Sequence, residues 1–166
     1  MNKFLFLIRH AKSSWKDLSL DDFDRPLKKR GKFDAILMGE KLNKNRFLID
    51  LIISSPAKRT IETVKIISDK IGYNSEILYN KNIYEASEET LINIIKSIKN
   101  NFNNVIIVGH NPGLTNLANH LLNKSIYNVP TCGIVAIKIN GNWSELNSDN
   151  CEMIFFDYPK KYKDQN

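Results

Sequence analysis

Two apolar runs in this chain each end in a histidine, and this arrangement limits the folds that the chain can adopt. Residues 4–8 are followed by Arg9 and His10, and residues 105–108 are followed by a glycine and His110. Short buried runs of this kind predict strands, and in an open α/β sheet ligands bind in the crevice at the carboxyl ends of the strands. Because the chain has only three histidines, two of them at equivalent places predict one shared site for an anion.

The length and composition predict a globular protein built around one core. The chain has 166 residues, of which 42% are hydrophobic and 25% are charged. A chain of this length fits one domain of ordinary size. We predict a single domain over residues 1–158, followed by a polar C-terminal tail over residues 159–166.

Charge and hydropathy argue against nucleic-acid and membrane partners. The net charge is +6, but the lysines are spread along the chain, whereas nucleic-acid binding calls for a clustered basic patch. No apolar run is long enough to span a bilayer, and the N-terminal run is too short for a signal peptide. We therefore expect a cytoplasmic protein that is a monomer and has neither a nucleic-acid nor a membrane partner.

The order of the predicted elements is typical of an α/β domain with a largely parallel sheet. Strands are predicted near residues 3–8, 51–53, 76–78, 105–108, 133–139 and 153–156, with another near Trp143. Helices are predicted to begin at Pro26, at Pro56 with Ser55 as its cap, near Leu91, and at Pro112 with Asn111 as its cap. The turn signal Asn140-Gly141 predicts an antiparallel pair, so we expect a mixed sheet.

Three predicted strand-to-helix junctions carry polar groups to the same edge of the sheet. The first supplies Arg9 and His10, the second supplies Arg59, and the third supplies His110 and Asn111. Helix N-termini attract phosphate, and arginine binds phosphate oxygens in a bidentate fork. Two arginines and a charged histidine can hold a phosphoryl group while a neutral histidine attacks phosphorus. The pattern therefore predicts phosphoryl transfer without a metal.

These segments resemble the histidine phosphatase superfamily, which has the phosphoglycerate mutase-like fold. The matching segments are residues 7–11, residues 24–27 with Gly31, residues 54–60 and residues 108–112. The short chain and its Arg25-Pro26-Leu27 segment are similar to the small phosphohistidine phosphatase branch. The resemblance implies a three-layer α/β/α sandwich with a central mixed, mostly parallel sheet. It also implies a two-step hydrolysis that needs no metal or other cofactor.

The resemblance also implies roles for individual residues. His10 is the implied nucleophile, and Arg9, Arg59 and His110 form the implied phosphate pocket. The further predicted substrate-binding residues are Ser13, Arg25 and Asn111. Much of the superfamily has glycine after the catalytic histidine, where this chain has Ala11. Because alanine tolerates positive φ poorly, the loop after His10 can turn differently here.

The general acid is the least determined part of the predicted site. Larger relatives carry an acidic proton donor in an inserted region, and this chain has no such insertion. Glu85, in the loop after the third predicted strand, is the first candidate. Asp21 and Asp22, in the first loop, are the alternatives.

The predicted activity is removal of phosphate from phosphohistidine on a protein. A compact domain without a lid insertion is expected to have an open pocket, which suits a side chain presented by another protein. A small-molecule phosphomonoesterase and a phosphate- or phosphoprotein-binding module with little turnover are the alternatives. The expected partner is therefore a phosphorylated protein or a small phosphate ester.

Overall fold

The computed structural model describes residues 2–163, and its centre is a six-stranded sheet. The strands are β1 (Asn2–Arg9), β2 (Leu51–Ser54), β3 (Ile77–Tyr79), β4 (Asn104–Gly109), β5 (Ile134–Asn140) and β6 (Cys151–Asp157). They lie in the order β3-β2-β4-β1-β5-β6. The first four strands pair in parallel, and β5 is antiparallel to both β1 and β6. The sheet is therefore mixed and mostly parallel, which confirms the prediction.

Helices cover both faces of this sheet. They are α1 (Lys29–Lys44), α2 (Lys58–Ile71), α3 (Glu88–Lys96), α4 (Gly113–Leu122) and the short α5 (Lys160–Lys163). The helices α1 and α2 pack on one face, and α3 and α4 pack on the other. This is the predicted three-layer sandwich. Within residues 2–163, no helix is long and apolar enough to cross a bilayer.

Side chains along the central strands point alternately to the two faces of the sheet, so the core has two layers. In β1, Leu5 and Leu7 belong to the cluster beneath α3 and α4, whereas Phe6 and Ile8 belong to the cluster beneath α1 and α2. Successive side chains of a strand point to opposite faces, so a strand covered on both sides must be apolar throughout. All four side chains are at most 1% exposed. Polar groups can therefore be placed only at the strand ends.

The prediction that Pro26 begins a helix is wrong. The next residue, Leu27, pairs with Ser13 in an isolated antiparallel bridge, and α1 begins at Lys29. The segment is extended because the bridge ties it to the loop that follows β1. This contact fixes the loop after β1 beside the start of α1.

The starts of α2 and α4 also differ from the prediction. The helix α2 begins at Lys58, two residues after Pro56, and Ser55 does not serve as its N-cap. The helix α4 begins directly after Pro112. Pro112 is its N-cap, so the assignment of Asn111 as the cap is wrong. The side chain of Asn111, one residue earlier, accepts a hydrogen bond from the backbone N–H of Thr115 at 3.2 Å.

The C-terminal strands are joined by a longer connection than the Asn140-Gly141 hairpin that was predicted. Residues 141–150 connect β5 to β6, so the two-residue hairpin is wrong. The prediction of a strand near Trp143 is also wrong, because this residue begins a 3-10 helix, Trp143–Glu145. Its indole is fully buried and donates a hydrogen bond to the carbonyl of Phe102 at 2.7 Å. The need to bury this ring and satisfy its N–H overrides the hairpin signal.

The short helix α5 is attached to the body of the domain. Lys163 forms an ion pair of 2.5 Å with the buried carboxylate of Asp34 in α1. The hydroxyl of Tyr162 donates a hydrogen bond to Asp157, and the ammonium of Lys41 lies 4.1 Å from the centre of its ring. The remainder of the predicted tail, residues 164–166, lies outside the described residues. The division of the chain at residue 158 stays a prediction.

Gly31 provides a test of how tightly α1 packs on the loop that follows His10. A Cβ at this position would lie 2.2 Å from the carbonyl oxygen of Lys12. Helix propensity alone would favour alanine by about 1 kcal/mol, whereas overpacking against a fixed backbone costs about 1–3 kcal/mol. We expect Gly31→Ala to lower the free energy of unfolding by about 1–2 kcal/mol in urea denaturation. Asn43→Ala, on the exposed face of the same helix, serves as the control and should not lower it. Equal stability of Gly31→Ala and wild type would contradict this packing.

Candidate active site

The carboxyl ends of β1, β2 and β4 meet at one edge of the sheet, where a depression of about 430 Å³ lies. Strand register pairs Arg9 with Gly109 and Ser54 with Val108, so the residues that follow the three strands come together. The depression is lined by Arg9, His10, Lys12, Ser13, Trp15, Arg25, Lys28, Arg59, His110, Asn111 and Thr131. All of the predicted site residues except Glu85 are in this set. A larger depression of about 890 Å³, between β3 and α3, contains none of them.

The backbone holds His10 with one particular ring nitrogen free. The Nδ1 of His10 lies 2.7 Å from the carbonyl oxygen of Ala11. A carbonyl oxygen can only accept a hydrogen bond, so Nδ1 carries the proton and Nε2 of the neutral ring keeps a free lone pair. The His10 N–H donates to the carbonyl of Gly109 at 3.1 Å, and the Ala11 N–H donates to the hydroxyl of Thr63 at 2.9 Å. The imidazole is thereby tied to β4 and α2 and presents Nε2 as a nucleophile.

The loop after His10 turns without a positive φ at Ala11. Positive φ occurs instead at Cys132, where φ is +61°. The N–H of Cys132 lies 3.0 Å from the carbonyl oxygens of both Arg9 and His10. The alanine at position 11 is therefore compatible with the turn, because the left-handed residue is in the neighbouring loop.

Burial and positive charge keep both histidines neutral. Burial lowers the pKa of His10 to about 3, and the charges of His110, Arg59 and Arg9 act in the same direction, against the hydrogen bond to Ala11. Burial also lowers the pKa of His110 to about 4. The ring centroids are 5.3 Å apart. An anion bound beside both rings would oppose this lowering and favour the charged form of His110.

Two guanidinium groups, that of the half-buried Arg9 and that of the buried Arg59, concentrate positive charge at this edge of the sheet. Arg9 donates from Nη1 to the carbonyl of Val129 at 3.1 Å, and Arg59 donates from Nη1 to the carbonyl of Asp22 at 2.6 Å. The Nε atoms of both arginines are buried and have no hydrogen-bond acceptor among the described residues. A buried N–H without an acceptor costs about 1–3 kcal/mol. The oxygens of a bound oxyanion would supply these acceptors.

Ser55 contacts His110, a role that the sequence analysis did not predict. The Oγ of Ser55 lies 2.8 Å from Nε2 of His110, and Nη2 of Arg59 lies 3.4 Å from Nδ1 of the same ring. These contacts place the Nδ1 side of the ring next to the arginine. The sequence feature that could have indicated this contact is the position of Ser55 between a strand and Pro56. A serine before a proline is also a common helix cap, so the feature is ambiguous.

Asp22 is bonded to both of the arginines that flank it. Its Oδ2 accepts from Nη2 of Arg59 at 3.0 Å and from the hydroxyl of Tyr84 at 2.6 Å. Its Oδ1 accepts from Nε and Nη2 of Arg25 at 3.2 and 3.1 Å. The hydrogen bond from Tyr84, followed by those from Arg59 and Arg25, lowers the pKa of Asp22 to about 2. The carboxylate of Asp22 is therefore ionised in the ligand-free protein, and the alternative assignment of Asp22 as the general acid stays a prediction.

The other predicted substrate-binding residues line the depression, but many of their polar groups are bonded within the protein. Arg25 donates from Nη1 to the hydroxyl of Ser13 at 2.7 Å, and its guanidinium lies 3.6 Å from the centre of the Trp15 ring. Asn111 donates from Nδ2 to the carbonyl of Val129 at 2.9 Å. These residues therefore build the wall of the depression, and a direct role in binding substrate stays a prediction.

The structure separates Glu85 from the cluster of histidines and arginines. Glu85 is exposed, has a φ of +56°, and lines a neighbouring depression that shares Asn111 with the first. Asp21 is exposed at the start of the 3-10 helix Asp22–Asp24 and lines neither depression. The assignment of Glu85 as the general acid stays a prediction. In the described part of the chain, no group of three or more His, Cys, Asp or Glu side chains is arranged to hold a metal ion.

Comparisons with known proteins agree on one family. The model of the histidine phosphatase superfamily (branch 1) matches residues 5–87. An uncharacterized chloroplastic protein of Arabidopsis thaliana is 35% identical over 155 residues, which cover 87% of this chain and 71% of that protein. A structure from Agrobacterium tumefaciens, assigned as a phosphohistidine phosphatase SixA, is 26% identical with a TM-score of 0.81 and covers 95% of this chain and 98% of the other. A protein histidine phosphatase SixA complexed with tungstate shares the fold, with a TM-score of 0.81 at 18% identity over 96% of this chain and 99% of the other.

The low pKa values of the two site histidines should make the fold sensitive to acid. An unfolded histidine titrates near pH 6.5, whereas the pKa is about 3 for folded His10 and about 4 for folded His110. The unfolded chain therefore binds more protons below pH 6.5, and stability falls as the pH falls from 6.5 toward 4. We expect a loss of roughly 1–2 kcal/mol per histidine at pH 5 relative to pH 7.5, measured by chemical denaturation.

Two histidine variants separate this effect from the titration of carboxylates. His110→Gln should reduce the difference in unfolding free energy between the two pH values, because it removes one of the buried groups. His120→Gln is the matched control, because His120 is exposed on α4, and it should leave the difference unchanged. Equal pH dependence in all three proteins would contradict the burial argument.

Proposed function

The chain belongs to the histidine phosphatase superfamily and is a phosphatase, and we propose that it removes phosphate from phosphohistidine on a protein through a covalent intermediate on His10. The observation that carries the mechanism is the hydrogen bond of 2.7 Å from Nδ1 of His10 to the carbonyl of Ala11. It leaves Nε2 as a free nucleophile in the depression that Arg9 and Arg59 also line.

The proposed reaction has two steps. In the first, Nε2 of His10 forms a bond to phosphorus while the bond from phosphorus to the leaving group breaks, and the leaving group takes up a proton. In the second, water attacks phosphorus, the bond to Nε2 breaks, and inorganic phosphate leaves with His10 neutral again. Arg9, Arg59 and protonated His110 hold the phosphoryl oxygens throughout, so neither step is proposed to need a metal ion.

The electrostatics of the site support these roles. The Nε groups of Arg9 and Arg59 are buried without an acceptor, and donors fixed in this way stabilise charge at no cost of reorganisation. His10 is neutral at physiological pH, because burial lowers its pKa to about 3. Contact with the dianionic phosphoryl group would return the proton to His110. One histidine thereby serves as nucleophile and the other as a cation.

The placement of the acidic side chains, outside the depression that holds His10, supports the proposed substrate class. Among the described residues, no carboxylate lines the depression that holds His10. A nitrogen leaving group depends less on a proton donor than an alkoxide does, so this lining suits phosphohistidine better than a phosphate ester. The similarity to a protein assigned as a phosphohistidine phosphatase points the same way. A small phosphate ester is the second candidate, because Glu85 lies in the adjoining depression.

Trapping the intermediate tests the proposed nucleophile. The protein is mixed with phosphoimidazole and, separately, with p-nitrophenyl phosphate in the presence of EDTA, quenched in base, and examined by mass spectrometry. We expect phosphate on His10 together with phosphate release, and neither in His10→Ala. His120→Ala is the control and should behave as wild type. Turnover by folded His10→Ala would refute the assignment, and turnover that EDTA abolishes would refute the metal-free mechanism.

Glu85→Gln tests the substrate class through the leaving group. With phosphoimidazole we expect kcat/KM to change by less than about threefold, because the nitrogen leaving group needs little acid assistance. With an alkyl phosphate, loss of a general acid would lower kcat/KM by about 100-fold or more. Glu89→Gln, on the same neighbouring depression, is the control. A large loss with phosphoimidazole would oppose phosphohistidine as the substrate and favour the ester.

A further inference from the structure

The guanidinium of Arg59 is bound at its end by one residue. Nη1 donates to the carbonyl oxygen of Asp22 at 2.6 Å, and Nη2 donates to its Oδ2 at 3.0 Å. The side edge of the guanidinium, formed by Nε and the second N–H of Nη2, is not used by this clamp. Nε has no acceptor among the described residues, and Nη2 lies 3.4 Å from Nδ1 of His110. The unused edge is therefore beside the histidine of the proposed phosphate pocket.

The carboxylate of Asp22 is itself fixed from two directions. Nε and Nη2 of Arg25 bind its Oδ1 at 3.2 and 3.1 Å, and the hydroxyl of Tyr84 binds its Oδ2 at 2.6 Å. Arg25 is bonded in turn to Ser13, and the Tyr84 ring packs edge-on against His110 at 5.4 Å. A carboxylate fixed by two neighbours can orient a third group without ordering that group afresh for each reaction.

The position of Asp22 shows whether its carboxylate supports Arg59 or competes with phosphate for it. A carboxylate on a phosphate-binding arginine can act as an internal competitor of phosphate if it occupies the place of the anion. Asp22 is not among the residues that line the depression, although Arg59 and Arg25 are. Asp22 is therefore outside the set of residues that line the depression, and it binds Nη1 and Nη2 of Arg59 rather than Nε.

We propose that Asp22 is a positioning residue for the proposed reaction, which clamps the end of Arg59 and so holds the guanidinium beside His110, where the phosphoryl group would bind. This inference rests on the proposed function, in which Arg59 holds phosphoryl oxygens. Asp22 does not touch the substrate, and it acts through the orientation of Arg59. Removing the clamp leaves Arg59 in place but frees its long side chain to turn away from the productive geometry.

Oxyanion affinity and turnover together test this role. Binding of inorganic phosphate and of tungstate is measured by calorimetry, and kcat/KM is measured with phosphoimidazole. We expect Asp22→Ala to weaken binding and to lower kcat/KM by roughly 10- to 100-fold, because a misplacement of about 1 Å costs that much. Asp22→Asn should retain part of the affinity and part of kcat/KM, because the amide oxygen of asparagine can still accept a hydrogen bond from Arg59. Asp24→Asn, an exposed acid in the same 3-10 helix, is the matched control and should match wild type.

A double-mutant cycle shows whether Asp22 acts through Arg59. If it does, Asp22→Ala should cause no further loss in a protein that already carries Arg59→Ala. A further loss as large as in the wild-type background would overturn the proposal, and so would tighter phosphate binding by Asp22→Ala. Circular dichroism confirms that each variant folds, and Asp22→Asn remains the test if Asp22→Ala does not.

The same measurements separate this proposal from the proposed function. If the wild-type protein binds phosphate but releases none from phosphoimidazole, the proposed function fails, and the affinities still decide whether Asp22 positions Arg59. If the wild-type protein binds neither phosphate nor tungstate, both proposals are overturned. If turnover occurs and Asp22→Ala leaves both turnover and affinity unchanged, only the positioning role is overturned.

Discussion

The parallel pairing of β1 with β4 is the constraint on which the site depends. Arg9 and Gly109 are partners in this register, and the N–H of His10 continues the pairing by donating to the carbonyl of Gly109 at 3.1 Å. Both histidines therefore leave the sheet at the same level and on the same edge. A shift of register by one residue would move the apolar side chains of β1 to the wrong faces. The core thus enforces the relation between the two imidazoles.

Around this pair the protein concentrates positive charge where little water reaches. Arg59 is 6% exposed and His10 is 7% exposed, so the charge of the arginine is weakly screened and disfavours protonation of His10. The carboxylate of Asp22 offsets part of this charge and also favours the protonated form of His110. A compact site with several cations and one fixed anion beside it is stable before a ligand arrives and still attracts a dianion.

The sequence predicted those features that depend on local pattern. Apolar runs with polar ends predicted the central strands, and the motif around each run predicted which residues line the depression. The sequence pattern did not predict where α1 and α2 begin. Before α1, for example, the bridge from Ser13 to Leu27 keeps the chain extended, and this bridge is a contact between distant segments. The contacts of Asp22 with Arg59 and Tyr84 were missed for the same reason. Its bond to Tyr84 joins residues 62 positions apart, and no local spacing reports such a contact.

The histidines and arginines at the strand ends and the walls of the depression come from different parts of the chain. Arg9, His10 and His110 lie at the ends of strands whose side chains are packed on both faces, so the core fixes where these three residues lie. Trp15 and Lys28 are exposed side chains of the connection between β1 and α1 that line the depression. Substitutions of these exposed side chains can therefore reshape the depression with little loss of folding stability, while the histidines and arginines at the strand ends stay in place.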